Sequence, residues 1–314
     1  MRLALGILGA GHFGRFHALK AAGGPRTRLI GVHDANPDRA AVVGAEAGAP
    51  ALGRDEVIAA ADALIVAAPT AAHHDLALAA IAAGKPVFVE KPLAGSIPEA
   101  EAIIAAAASR RVVLQVGHIE RFSAAFAAVA GARTGGRAWH YHAVRLAPFR
   151  PRSLDVSVVL DLMIHDIDMI LTLEGADPVA VSATGRRIAS GRLDQVVARL
   201  DFASGARAEI AASRASGALE RRLRVLTGEG EMAVDFLARS LSVLRRDGAE
   251  ALPEMPGFGL DRLSWTDHDS LAAEQAAFAG AVLDGAPVVV DGAAGLRALR
   301  VALAVEAAAE ASAG

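Results

Sequence analysis

Short apolar runs separated by stretches of helical periodicity organise this chain. Residues 3–8, Leu-Ala-Leu-Gly-Ile-Leu, are an unbroken apolar run and read as a buried strand. The turn Gly9-Ala-Gly-His-Phe-Gly14 follows at once. Residues 15–22 then carry helical spacing until Gly23-Gly24-Pro25 stops them, and a second apolar run over 27–33 ends on Asp34. The alternation continues with a helix over 39–48 and a strand over 63–67, closed by Ala68-Pro69-Thr70. The polar loop 70–75 opens a helix that runs to 83, and a strand over 87–89 ends in Glu90-Lys91-Pro92. A helix over 97–108 and a strand over 112–116 complete the series. Strands alternating with helices of this length mean βαβ units and a parallel, doubly wound sheet.

From Ile119 the pattern changes. A helix is predicted over 120–130, a strand over 139–146, and a long helix over the mostly apolar stretch 155–173. After Pro178 come short runs of alternating character over 179–187, 195–202, 206–212, 221–227, 231–236 and 240–245. Ser204-Gly205 and Thr227-Gly228-Glu229-Gly230 supply tight turns, so these strands form an antiparallel sheet. Residues 246–248 end the run, a Pro/Gly-rich loop covers 253–259, and two helices, 270–283 and 293–311, close the chain. The expected architecture is α/β: a nucleotide-type parallel domain over 1–119 and an α+β domain over 120–314, with a large, mainly antiparallel sheet.

Composition narrows the class. A length of 314 residues suits two domains with cores of their own. The 53% hydrophobic content is inflated by alanine, aromatics are only 4%, and no apolar run reaches the roughly 18–20 residues of a spanning helix. The N-terminus enters the first strand directly, without the pattern of a signal peptide. There are no cysteines, which excludes disulfides, thiolate nucleophiles and zinc–thiolate sites and points to the cytoplasm. The net charge of −3 is spread evenly, so neither a nucleic-acid face nor a membrane partner is expected.

The chemistry starts at the first turn. Gly9 permits the tight bend, Gly11 lets backbone approach a pyrophosphate, and Gly14 lets the helix sit close on the strand. The unpaired amides of that helix start suit phosphates, so Gly9, Gly11, His12, Phe13 and Gly14 are dinucleotide-binding candidates. Asp34, twenty residues past Gly14, favours ribose hydroxyls over a 2′-phosphate, and so NAD over NADP. Ligands of such sheets lie beyond the carboxyl ends of the strands. Those ends hold Pro69, Thr70, Glu90, Lys91 and Gly117-His118. Lys91 is either a solvated loop lysine or, pinned between strand end and proline, a group at the crevice mouth. In the segment 155–173 a helix puts Asp161, His165 and Asp168 on one polar stripe, at i, i+4 and i+7. Three readings fit that stripe: a structural network, a divalent-metal site, or His165 as a general base oriented by a carboxylate. With NAD as hydride acceptor no metal is required, and the base is the preferred reading. Arg145, Arg150 and Arg152 read as solvated loop residues or as forks for a diphosphate.

With these segments placed, the whole chain resembles the glucose-fructose oxidoreductase / inositol dehydrogenase / MocA family. The resemblance is carried by Gly9-Ala-Gly11-His-Phe-Gly14, the loop from Pro69 to His73, Glu90-Lys91-Pro92, Gly117 to Phe122 with Arg121, and Asp161-x-x-x-His165-x-x-Asp168. It implies a Rossmann domain followed by an α/β domain whose open sheet mediates homodimers or homotetramers. It also implies NAD(P)-dependent redox chemistry at a sugar or polyol carbon, with Lys91, Asp161 and His165 as the catalytic group. His73 and Glu90 then join the cofactor set, and His118, Arg121, Arg150, Arg152 and Asp168 are substrate-binding candidates. Met163 stands where many members have glycine. Residues 116–122 and 160–168 look like the branch that oxidises the 3-hydroxyl of UDP-N-acetylglucosamine on the route to diamino-sugar lipid A. The alternatives are an inositol or aldose dehydrogenase, a ketosugar reductase, and a dinucleotide-binding regulator without catalysis.

Overall fold

The computed structural model describes residues 2–132, 136–151, 153–266 and 268–312. The chain divides into two compact units: Met1–Phe122 with Asp269–Leu299, and Ser123–His268 with Arg300–Gly314.

The first unit runs β1 (Leu3–Leu8), α1 (His12–Gly23), β2 (Thr27–His33), α2 (Pro37–Ala47), α3 (Arg54–Ala60), β3 (Ala63–Val66), α4 (His73–Ala82), β4 (Val87–Glu90), α5 (Ile97–Arg110) and β5 (Leu114–Gly117). The strands form a parallel sheet in the order β2-β1-β3-β4-β5. The order reverses between β1 and β3, which sets the ligand crevice at the carboxyl ends of those two strands. β1, β3 and β4 are buried along their whole length, as strands covered on both faces must be. Residue chemistry fixes the ends of α2. The Asn36 side chain accepts from the amides of Asp38 and Arg39, Pro37 opens the first turn, and Gly48 at φ 70° closes the last. The seven-residue α3, with Val57 and Ile58 as its buried face, carries too short a period to be foreseen.

The second unit contains α6 (Ala124–Ala132), β6 (Ala138–Leu146), a π-helical turn over Val159–Met163, α7 (Ile164–Glu174), β7 (Pro178–Arg186), β8 (Gln195–Phe202), β9 (Arg207–Ser213), β10 (Glu220–Thr227), β11 (Gly230–Asp235), β12 (Ser240–Arg246), β13 (Glu250–Ala251) and β14 (Phe258–Ser264). Among the described residues these strands form one nine-stranded sheet, ordered β13-β14-β12-β11-β10-β6-β9-β8-β7 and antiparallel except where β6 meets β9. Three expectations need correction. The segment expected as one helix over 155–173 begins with turns and the π-helical turn, and only Ile164–Glu174 is α-helix. The helix expected over 120–130 is a 3-10 turn, Ile119–Phe122, followed by α6. The loop assigned to 253–259 already contains the start of β14, which extends the sheet past its expected end.

The chain closes with α8 (Ser270–Asp284) and α9 (Gly292–Ala311). Helix α8 belongs to the first unit, where Phe278 and Ala279 join Leu5, Ile7, Ile65 and Phe88 in one buried cluster.

Candidate functional site

In the first unit the glycine turn is built as its spacing requires. Gly9 sits at φ 107°, and a Cβ there would stand 2.5 Å from the Ala68 backbone nitrogen. A Cβ on Gly14 would stand 1.8 Å from the Gly9 carbonyl oxygen, so the helix can pack on the turn only without a side chain. At Gly11 a Cβ would meet nothing within 4 Å. That open space lies beside the N-terminus of α1, where Gly11 offers no side-chain cap and the first turn carries no acid. Amides facing open space at a helix start are what a pyrophosphate needs, and the turn fits a dinucleotide. His12 and Phe13 open α1, and the His12 ring lies edge-on to Phe13 and Phe16.

Asp34 is half-buried at the end of β2. Its Oδ2 accepts from the Ala10 amide at 2.7 Å and its Oδ1 from the Asn36 amide at 2.8 Å. A carboxylate has about four acceptor positions, so these two bonds hold the group beside the turn and leave acceptor capacity for ribose hydroxyls. After β3, Pro69 and Thr70 lead through a short 3-10 turn into α4. His73 is buried there, its Nδ1 2.8 Å from the Pro92 carbonyl and its Nε2 2.9 Å from the Ala68 carbonyl. It ties the loop after β3 to the turn after β4. Burial pushes the imidazole below the usual histidine range, against the pull of the two carbonyls.

That turn carries Glu90 and Lys91, followed by a cis peptide to Pro92. Lys91 is half-buried and Glu90 buried. The Glu90 Oε1 meets the His17 Nε2 at 2.8 Å and its Oε2 accepts from the Lys91 backbone amide at 3.2 Å. A Cβ on Gly117 would stand 2.9 Å from that Oε2, so the glycine after Val116 makes room for the carboxylate. His118 is buried beyond β5, and Arg121 is half-buried in the 3-10 turn that follows.

The second unit holds the polar stripe. Asp161, His165, Asp166 and Asp168 are all buried. Asp161 lies in the π-helical turn, where the Ile164 amide reaches back five residues to the Val159 carbonyl. Asp161 is thus on π-helical rather than α-helical backbone ahead of His165. Such single π turns recur where a helix has to re-aim side chains. Met163 is fully buried. Arg145, on β6, forms a buried bidentate pair with Asp166, at 2.7 and 3.0 Å. Its guanidinium is thereby committed to α7. Arg150 is exposed, and Arg152 lies outside the described residues. The turns before the stripe hang on a second buried pair. Arg214 donates to Asp194 at 2.9 Å and to the Ser153 and Val156 carbonyls at 3.0 and 2.9 Å. Burial raises the Asp194 carboxyl, but Ser190, the Ile188 and Ala189 amides and Arg214 outweigh it and hold the group well below the usual carboxylate range.

The cofactor candidates therefore gather in the first unit with Lys91, and Asp161, His165 and Asp168 follow one another along the π-helical turn and α7 of the second. Sequence reasoning missed His17, Glu274 and Gln275, which surround Glu90, and the partners Asp166, Asp194 and Arg214. Their partners lie far off in the chain, and no local spacing announces them.

Comparison with known proteins places this geometry. A family model described as an oxidoreductase family with an NAD-binding Rossmann fold matches residues 3–118. A GFO/IDH/MocA C-terminal domain model matches residues 117–233. A UDP-N-acetylglucosamine 3-dehydrogenase of Acidithiobacillus ferrooxidans is 39% identical over 99% of this chain and 98% of its own. Its solved structure superposes with a TM-score of 0.93 over 99% of each chain. An inositol 2-dehydrogenase of Rhizobium meliloti is 31% identical over 96% of this chain and 95% of its own. GenD2 from gentamicin A biosynthesis, solved in complex with NAD, is 25% identical, with a TM-score of 0.84 over 98% of this chain and 94% of its own. The chain is a member of the GFO/IDH/MocA family of oxidoreductases.

Proposed function

We propose that this protein is an NAD-dependent dehydrogenase that oxidises the 3-hydroxyl of UDP-N-acetylglucosamine to a ketone. The observation that carries the reading is the end-to-end similarity to the Acidithiobacillus enzyme, at 39% identity and a TM-score of 0.93. Bound NAD supplies the hydride acceptor. The glycine turn and the start of α1 hold its pyrophosphate, and Asp34 takes the adenosine ribose hydroxyls. His165, oriented by the neighbouring carboxylates, accepts the proton of the substrate hydroxyl. The role proposed for Lys91 is a hydrogen bond donated to the reacting oxygen as negative charge develops on it, a contribution typically worth about 3 kcal/mol. Arg121, His118 and the arginine-bearing stretch around Arg150 are the side chains assigned to the nucleotide sugar.

NAD is the proposed cofactor over NADP, on the charge of Asp34. A 2′-phosphate about 4 Å from that carboxylate meets a repulsion on the order of 4 kcal/mol per unit charge at an effective dielectric near 20. Asp34→Ala is expected to shift the kcat/KM ratio towards NADP on the order of a hundredfold, read from initial rates with the two cofactors. A homo-oligomer through the nine-stranded sheet is proposed as well, supported by exposed apolar side chains on its strands, among them Trp139 and Val197. Light scattering reads its mass. Among the described residues no helix is long and apolar enough to cross a membrane, and the cytoplasm is the proposed compartment. The function is tested by NADH absorbance on mixing protein and NAD with UDP-N-acetylglucosamine, other UDP-sugars, inositols and simple aldoses. Turnover confined to UDP-N-acetylglucosamine is the expected result. Turnover of an inositol alone contradicts the substrate, and turnover of none contradicts the enzyme.

A further inference from the structure

Behind Lys91 the first unit buries a polar cluster that the proposed chemistry does not use. His17 of α1, Glu90 at the end of β4, Gln115 of β5, and Glu274 and Gln275 of α8 are each less than a tenth exposed, and His17, Gln115 and Glu274 are completely buried. Ligand atoms of His17, Glu90 and Glu274 lie within 4.8 Å of one another. The surroundings are apolar: the His17 ring packs edge-on to Phe88, and Phe88 in turn to Phe278.

Hydrogen bonds fix what these groups are. The Gln275 Nε2 lies 3.0 Å from the His17 carbonyl oxygen and 2.9 Å from the His17 Nδ1. A carbonyl oxygen can only accept, so the amide nitrogen of Gln275 must face it, and the second hydrogen of that nitrogen points at Nδ1. Nδ1 is then an acceptor and the ring proton sits on Nε2, directed at Glu90 Oε1 at 2.8 Å. The other oxygen of Glu90 takes the Lys91 amide, with β5 pressed against it at Gly117. A metal ion on Nε2 would leave the ring without a proton on either nitrogen, so the donor set rejects a cation. At Glu274 burial first, and the neighbouring Glu90 second, push the carboxyl well above the usual range and favour the neutral acid.

We infer that His17 is a positioning residue for the reaction: locked in its Nε2–H form by Gln275, it holds the Glu90 carboxylate that clamps the backbone of Lys91. The inference rests on Lys91 acting on the substrate oxygen, as proposed above. A single step of side-chain freedom at Glu90 would release the Lys91 amide. Misplacement of a reacting group by about 1 Å costs on the order of a hundredfold in rate.

The test compares His17→Leu with His17→Gln, whose amide nitrogen can stand where Nε2 stood, alongside Lys91→Met. His17→Leu is expected to lower kcat about tenfold or more with KM for NAD within about twofold. His17→Gln is expected to recover most of that kcat although both variants lose thermal stability. Equal kcat in the two His17 variants would overturn the inference, because a purely structural histidine cannot tell a donor from a methyl group. Full turnover by Lys91→Met would instead overturn the reading of Lys91 itself, whatever His17 does. Should the His17 variants not fold, long-range nitrogen–proton NMR of the histidine-labelled wild-type protein reads the tautomer directly. A proton on Nε2 of His17 supports the relay, and a proton on Nδ1 alone overturns it.

Discussion

Glu90 and Glu274 carry the same side chain a few ångströms apart in different surroundings. Glu90 has a donor on each oxygen, His17 and the Lys91 amide. Among the described residues Glu274 has no hydrogen-bond partner for either oxygen, and burial first and the neighbouring Glu90 second hold its proton more tightly folded than unfolded. The sign of the linkage follows. Between the unfolded value near 4.3 and the higher folded value the native state binds more protons, so this group's contribution is complete at acid pH and declines as pH rises through that window. Glu274→Gln removes the decline. The variant is expected to gain on the wild type as pH goes from 5 to 8, by up to about 1.4 kcal/mol per pH unit inside the window, measured by urea unfolding at each pH. Arg145 shows the limit of the sequence at this scale. Its fork suits a diphosphate, but Asp166 lies twenty-one residues away and takes both of its arms. Pairing in space is not written in local spacing.

At the scale of elements, β1, α1 and β2 were legible to within about three residues, because glycines and unbroken apolar runs act locally. The paired glycines of that turn separate packing from binding. Gly14→Ala places a methyl group against the Gly9 carbonyl and is expected to cost about 3 kcal/mol of stability, read by thermal unfolding. Gly11→Ala meets open space, so it is expected to unfold with the wild type while NAD affinity, measured by calorimetry, falls on the order of tenfold. The π-helical turn at Asp161 was not legible, since an apolar segment with a polar stripe reads as plain α-helix and the inserted residue answers to packing. β14 hid behind Pro253 and Gly257, and its alternation is blurred by the exposed Leu263. Helix α7 depends on the Arg145–Asp166 pair. Asp166→Ala leaves a buried guanidinium without its partner and is expected to destabilise the protein by about 3–5 kcal/mol, whereas replacing both residues by apolar ones is expected to recover most of that loss.

For the whole molecule, the alternation of strands and helices gave way to consecutive strands close to where the first unit ends, and the fold class was readable from that change. The return of Asp269–Leu299 to the first unit was not, because a helix such as α8 declares only that it has an apolar face, not which core will take it. Its consequence is that Glu274 and Gln275 arrive beside His17 and Glu90 from the far end of the chain. The central claim is the proposed one, that Lys91 acts on the substrate hydroxyl while NAD takes the hydride. The most direct test is single-turnover NADH formation from UDP-N-acetylglucosamine by wild type and by Lys91→Met, each saturated with NAD. The account requires rapid NADH formation by the wild type and a loss of about a thousandfold or more in the variant at unchanged NAD affinity. A Lys91→Met enzyme that forms NADH at the wild-type rate would contradict it.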